Sequence, residues 1–130
     1  MVLDTSVLAA ILFLEPERPA FIETMNAASH LLLSAASLVE IGIVLLRRGP
    51  PEVEADLDSL LERGGIVVIP VDEAQAQMAR EAYRIFGKGR HRAGLNFGDC
   101  FSYALAKRTG EALLFKGNDF GETDVAVASY

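Results

Sequence analysis

Asp4, Glu40, Asp99 and Asp119 are far apart in this chain, yet together they could do chemistry that none could do alone. Carboxylates crowded into one place repel one another, which raises their pKa values and costs stability unless a cation neutralises them. The cation suited to oxygen-only ligands is Mg²⁺ or Mn²⁺, which takes carboxylates and water and leaves positions open for phosphate. Such a site activates water and stabilises charge on a phosphodiester undergoing cleavage. Whether the four acids meet depends on the elements that carry them.

Met1–Asp4 reads as a short apolar strand ending on an acid, and Ser6–Leu14 as a helix that stops before Glu15-Pro16. Arg18–Ala28 is a second helix, followed by His30–Ser34 (HLLLS), a continuous apolar run of strand length. Ser37–Arg48 has helical spacing through Leu38, Ile41, Val44 and Leu45 and ends at Gly49-Pro50-Pro51. Glu52–Arg63 is amphipathic and closes on Gly64-Gly65. Ile66–Val71 (IVVIPV) is a strand by its β-branched content, and Asp72 can cap a helix running to about Phe86. Gly87–Gly98 is a glycine-rich loop, Asp99–Arg108 a helix stopped by Gly110, Ala112–Phe115 a strand, and Val125–Ala128 a candidate last strand.

Short strands that are apolar throughout are buried on both faces. Strands separated by helices indicate a parallel sheet between helical layers. The expected fold is therefore α/β, a three-layer sandwich with a mostly parallel central sheet of four or five strands, in one domain over residues 1–130. In such a sheet chemistry collects at the carboxyl ends of the strands. Asp4 ends the first strand, Glu40 lies in the first turn of the helix after the second, and Asp119 follows the Ala112–Phe115 strand by four residues. Asp99 starts the helix that returns to that strand, so it begins at the same edge. All four acids converge there, with Asp4 the natural bridging ligand because a strand end holds it rigidly and one of the others free to orient water.

Each acid has a bland explanation of its own. Asp4 can cap the following helix, and Ser37 with Glu40 fits a capping box. Asn96 can cap a helix in which Asp99 is favoured by the dipole, and Asp119 can be a turn residue. These explanations do not account for the grouping.

Composition sets the outer limits. A chain of 130 residues, 51% apolar and 23% charged, can bury a core without disulfides. Its longest purely apolar run, Val7–Leu14, is eight residues, against about twenty for a membrane helix. No basic region precedes that run, so no signal peptide is expected. The single Cys100 suits a reducing cytoplasm and, with two scattered histidines, argues against zinc. The net charge of −6 is unevenly spread, because residues 1–65 hold ten acids and four bases whereas residues 66–130 hold eight of each.

With these elements in place, VLDTSVLAAIL at the start, the SLVEIGIVLLRR helix, LNFGDCFSYALAKRTGEALLFKGNDF and the closing TDV resemble the PIN-domain toxins, the VapC-type ribonucleases. The resemblance runs from the first residue to nearly the last, and Leu95–Phe120 is its most specific part. It implies a parallel-sheet sandwich in which Asp4, Glu40, Asp99 and Asp119 form a site for Mg²⁺ or Mn²⁺. It also implies endoribonuclease activity on structured RNA such as tRNA, a homodimer, and a small antitoxin that blocks or distorts the site. Thr5 and Ser6 match the hydroxyl residues that follow the first acid and help hold it or a water, and Asn96 matches a polar residue near the site. One departure stands out: many relatives carry two acids where this chain has Asn118-Asp119. Asn118 can ligate through its carbonyl oxygen but brings no charge, and Asp124 is a candidate substitute.

Between Ala82 and Gly98 there is no acid, while Arg84, Lys88, Arg90 and Arg92 are basic, with His91 among them. A flexible basic loop beside an acidic metal centre would grip RNA phosphates; the alternative is a solvated loop. Arg47, Arg48, Lys107 and Arg108 sit at helix ends and complement the dipole. Cys100 reads as a small core residue, His91 as incidental, and Tyr83, Phe86 and Tyr103 as core aromatics that could also stack on bases. Apolar surface on the helices near residues 6–28 and 38–62 would suit an amphipathic antitoxin helix. Two rival readings remain. A phosphatase or phosphotransfer domain lacks support, since no acid stands two positions after Asp4 and no phosphate loop is present. A PIN-fold module that binds RNA or protein without cutting is favoured only by Asn118.

Overall fold

The computed structural model describes residues 1–130. Strand β1 (Val2–Leu3) leads to helices α1 (Thr5–Leu12) and α2 (Arg18–Ala27), then β2 (Leu31–Ser34), α3 (Ala35–Arg48) and α4 (Val53–Arg63). Strand β3 (Ile66–Ile69), helices α5 (Glu73–Phe86) and α6 (Phe97–Thr109), β4 (Leu113–Leu114) and a 3₁₀ turn (Asp119–Glu122) complete the chain. The sheet has four strands in the order β3-β2-β1-β4, all parallel, with Leu3 opposite Leu33 and Leu114. The expected three-layer sandwich is observed.

Alternate residues of the strands feed two cores, as the pleat requires. Leu3, Leu33 and Leu114 point to a cluster with α1, α2, α3 and α4, whereas Val2 and Leu113 point to a second cluster with α5 and α6. The all-apolar strands therefore have both faces covered. No helix is long and apolar enough to cross a membrane.

The candidate fifth strand is reduced to one parallel bridge. Val127 lies beside Leu113, with the Leu113 N–H donating to Ala126 and the Ala128 N–H to Leu113, each at 2.9 Å. Helix α3 starts two residues before the expected Ser37. Ser34, at the end of β2, caps it by accepting from the Ala36 N–H at 3.3 Å, so Glu40 falls in the second turn. The 87–98 loop is pinned: Leu95 exchanges backbone bonds with Phe86 and Lys88, and Ala93 and Leu95 are buried.

Candidate active site

The first three strands step outward in one direction, and the chain then crosses the sheet to place β4 on the far side of β1. The topological switch point thus lies between β1 and β4, where open parallel sheets hold their ligands. Asp4 leaves β1 at that point, with its N–H donating to Leu114 at 3.0 Å.

The Asp4 side chain is buried and held by hydroxyls. Its Oδ2 accepts from the Ser6 N–H at 2.9 Å and the Ser6 hydroxyl at 2.7 Å, and its Oδ1 accepts from the Ser102 hydroxyl at 2.7 Å. Asp4 is therefore a helix cap, as the bland explanation held, and is also clamped from the opposite layer. Ser6 in turn accepts from the Lys116 N–H at 2.9 Å, which ties α1 to the exit of β4. The Ser102 hydroxyl lies 3.3 Å from that of Ser37.

Glu40 does not cap its own helix. Its Oε2 accepts from the Thr5 hydroxyl at 2.7 Å, so the capping-box explanation fails, and Ser37 is buried against α6 instead. Burial pushes the Glu40 carboxyl above its usual range, the Thr5 bond opposes this, and the charge of Asp4 adds to it. A Cβ on Gly98 would come within 2.2 Å of both Glu40 oxygens, so only glycine lets α6 approach this carboxylate. Gly98 and Ser102 do not stand out in the sequence, and Ser37 does so only as a helix cap.

Asp99 is the third residue of α6 and forms a reciprocal cap with Asn96. The Asp99 N–H donates to Asn96 Oδ1 at 2.9 Å, and the Asn96 N–H donates to Asp99 Oδ2 at 2.8 Å. Its carboxyl is nevertheless pushed up to about 7, first by burial, against the Asn96 bond, and then by the charges of Asp4, Asp119 and Glu40. Asp99 thus lies within reach of the charges of Asp4, Asp119 and Glu40, and Glu40 within reach of that of Asp4. Asp99 and Ser102 are one turn apart on α6, and Ser37 and Glu40 one turn apart on α3. Two helices thus each present a hydroxyl below and a carboxylate above.

Asp119 opens the 3₁₀ turn and is exposed, as is Asn118 before it. Asp124 is not a substitute acid. Its oxygens accept from the Tyr103 hydroxyl at 2.6 Å and from Lys107 at 3.0 Å, toward the C-terminal end of α6. No three carboxylate, imidazole or thiol groups enclose a single point in metal-binding geometry.

The basic residues divide. Arg84 belongs to α5 rather than the loop and is paired with Glu81, while Arg92 is paired with Glu122. Lys88 and Arg90 make no ion pair with any acid. Lys107 and Arg108 pair with Asp124 and Asp72. The His91 ring accepts from the Ala93 N–H at 3.1 Å and packs on Phe86, which ties it to loop structure. Cys100 is buried and pushed up to about 11 by burial and by the charge of Asp99, an inert thiol. Tyr103 is core, but Tyr83 is exposed.

Comparison with known proteins identifies the family and the fold. The PIN domain family matches residues 1–126. Ribonuclease VapC30 of Mycobacterium tuberculosis H37Rv is 47% identical over 129 residues, covering 99% of this chain and 98% of the relative. The crystal structure of M. tuberculosis VapC20, described as a sarcin–ricin-loop-cleaving toxin, superposes with a TM-score of 0.80 at 17% identity, over 99% of this chain and 98% of that one. A toxin–antitoxin complex from Klebsiella pneumoniae gives 0.75 at 15% identity, over 99% and 97%. At such identities the two structures speak for the fold alone.

Proposed function

The chain belongs to the PIN-domain family, among its VapC-type ribonucleases, and from that premise we propose that it is a metal-dependent endoribonuclease, the toxin of a toxin–antitoxin pair. The observation that carries the proposal is the cluster at the switch point, where Asp99 is held near pKa 7 by burial and by three other acids. Such a cluster is costly as a purely structural device.

The donor set fits Mg²⁺ or Mn²⁺: every candidate ligand is oxygen, and an ion that keeps most of its waters needs only one or two carboxylates rather than a closed cage. Asp4, Asp99, Glu40 and Asp119 would hold it, one or two of them directly and the others through its waters. When bound, the cation supplies charge neutralisation at the phosphodiester and activation of water. Asp4 is fixed by Ser6 and Ser102, so it presents its oxygens without reorganisation. Glu40 keeps Oε1 free of protein partners while Thr5 holds Oε2, an arrangement suited to orienting water. Asp99, whose carboxyl is raised to about 7 by burial and by the neighbouring acids, has the most to gain from a cation that neutralises it. Asn96 positions it, and Asn118 and Asp119 guard the open side. Lys88 and Arg90 supply unpaired positive charge for RNA phosphates, structured RNA such as tRNA being the substrate class proposed.

Two surfaces suit protein partners, one of mixed character, its apolar residues flanked by Arg18, Asp56 and Arg63, and one apolar. A groove of 360 Å³ lies between the α1–α2 corner and α4, lined by Ile11, Leu12, Leu14 and Leu60, and we assign it to an antitoxin helix. Leu45 and Leu57 are core residues; charged substitutions belong at Leu14 or Leu60. On α3, Val39, Ile43 and Leu46 are exposed on one stripe, which we assign to a homodimer.

The test is RNA cleavage by antitoxin-free protein in Mg²⁺, Mn²⁺ and EDTA, beside Asp4→Asn and Asp99→Asn. Cleavage that needs metal and disappears in both variants is the expected result. RNA binding that persists in EDTA, with no cleavage in either metal, would favour the non-cutting module and point to Asn118 as the cause.

A further inference from the structure

Adjoining the acid cluster, α5 and α6 form an open groove of 620 Å³. Its floor is apolar, with Phe101 and Cys100 from α6 and the small Ala76 and Ala79 from α5. Phe97 stands at its rim with 78% of its surface exposed, meeting Phe101 edge-on at 5.0 Å, and Tyr83 faces it from α5 with 41% exposed. With most of its ring left in water, Phe97 contributes little to packing its own domain beyond that one contact. Arg80 and Lys88 complete the wall, and neither is paired with an acid; Arg80 only meets the neutral Gln77, at 2.8 Å. The groove reaches Asn96, whose backbone and side chain hold Asp99. On its other side it runs on, through Arg80 and Tyr83, into a polar depression lined by Arg90 and by the Arg84–Glu81 pair.

We propose that this groove seats the single-stranded RNA flanking the cleaved phosphate, with Phe97 and Tyr83 stacking on bases and Arg80 and Lys88 meeting phosphates. The proposal rests on the ribonuclease reading for the position of the cleaved bond. Two arguments select this occupant. Exposed aromatic faces interleaved with unpaired cations are the chemistry of single-strand binding, where every base offers a π-face and the backbone supplies charge. In a chain of net charge −6, a groove whose only charged lining groups are cations is complementary to a polyanion. A duplex would not fit, because its bases are not free to enter an apolar floor.

The test separates binding from cutting. Fluorescence anisotropy with Asp4→Asn in EDTA measures the affinity of a single-stranded RNA oligonucleotide and of the same sequence as duplex. Tyr83→Ala and Phe97→Ala should each weaken single-strand binding about tenfold, whereas Tyr83→Phe should retain it. Arg80→Gln and Lys88→Gln should each lower the slope of log affinity against log salt by about 0.7. In the cutting enzyme the aromatic substitutions should raise KM more than they lower kcat. Unchanged affinity in both aromatic variants overturns the groove assignment even if the wild type cleaves RNA. So does sedimentation showing that Phe97→Ala splits a dimer while affinity per protomer is unchanged. Affinity losses without any cleavage by wild type would instead remove the ribonuclease reading and leave the groove standing.

Discussion

Replacing Asp99 by Asn should make the metal-free protein more stable at neutral pH. The folded-state carboxyl titrates at about 7, against an ordinary value of 3.8. Between these values the unfolded chain has released a proton that the folded chain keeps. Stability therefore falls as pH rises from about 4 to about 7 and stays at the lower level above that. The displacement corresponds to ~4 kcal/mol at 1.36 kcal/mol per pH unit, but Asp99 is partly open to solvent, and screening brings this to about 1–2 kcal/mol. The asparagine carbonyl can still accept the Asn96 N–H, so the cap survives. For a domain of this size the gain is roughly 3–10 °C in Tm. Thermal unfolding followed by circular dichroism in EDTA, at pH 4, 6 and 8, measures it. The variant should match wild type at pH 4 and exceed it at pH 8, and Mn²⁺ should stabilise wild type more than the variant. A variant no more stable than wild type at pH 8, or equally advantaged at pH 4, refutes the electrostatic account of the cluster.

Gly98→Ala should leave the protein folded but displace Glu40, since both of its oxygens lie 2.2 Å from the new methyl; cleavage rate should fall on the order of a hundredfold, as small misplacements in active sites do. Ser102→Ala removes the buried hydroxyl on Asp4 Oδ1, and urea unfolding should register a loss of about 1–3 kcal/mol, with weaker Mn²⁺ binding by calorimetry. Asp124→Asn should leave Mn²⁺ affinity unchanged, because its partners are Tyr103 and Lys107; a clear drop would return it to the acid cluster. Asn118→Asp adds a charge at the open side and should tighten Mn²⁺ binding several-fold in the same measurement.

The parallel sheet and the placing of Asp4 at a strand end are legible in the sequence because two strong signals agree: apolar runs of strand length, and polar residues immediately beyond them. The roles of Gly98, Ser37 and Ser102 are not. Each is a small residue on an apolar helix, and its role exists only where α3 and α6 approach, an event set by tertiary packing. The start of α3 was misplaced for a related reason. Ser34 and Ser37 are both good caps, and the choice between them is made by pairing of Leu31–Ser34 with β3, a non-local fact. The charge excess around Arg90 was legible, but not its division. Arg84 is drawn to Glu81 by helical spacing, and Arg92 to Glu122 across the fold. Asp124 was equally ambiguous until Tyr103 claimed it.

The position of β1 between β2 and β4 has a consequence for the order in which the molecule folds. Val2 and Leu3 lie more than a hundred residues before Leu113 and Leu114 in the chain, yet their backbone bonds on one side come from residues 112–114. Pairings separated by so much chain are late events in folding. A nascent chain halted before Leu114 would carry Asp4, Glu40 and Asp99 with the frame around them unclosed. The frame of the acid cluster thus closes only when Leu113–Leu114 pairs with Val2–Leu3.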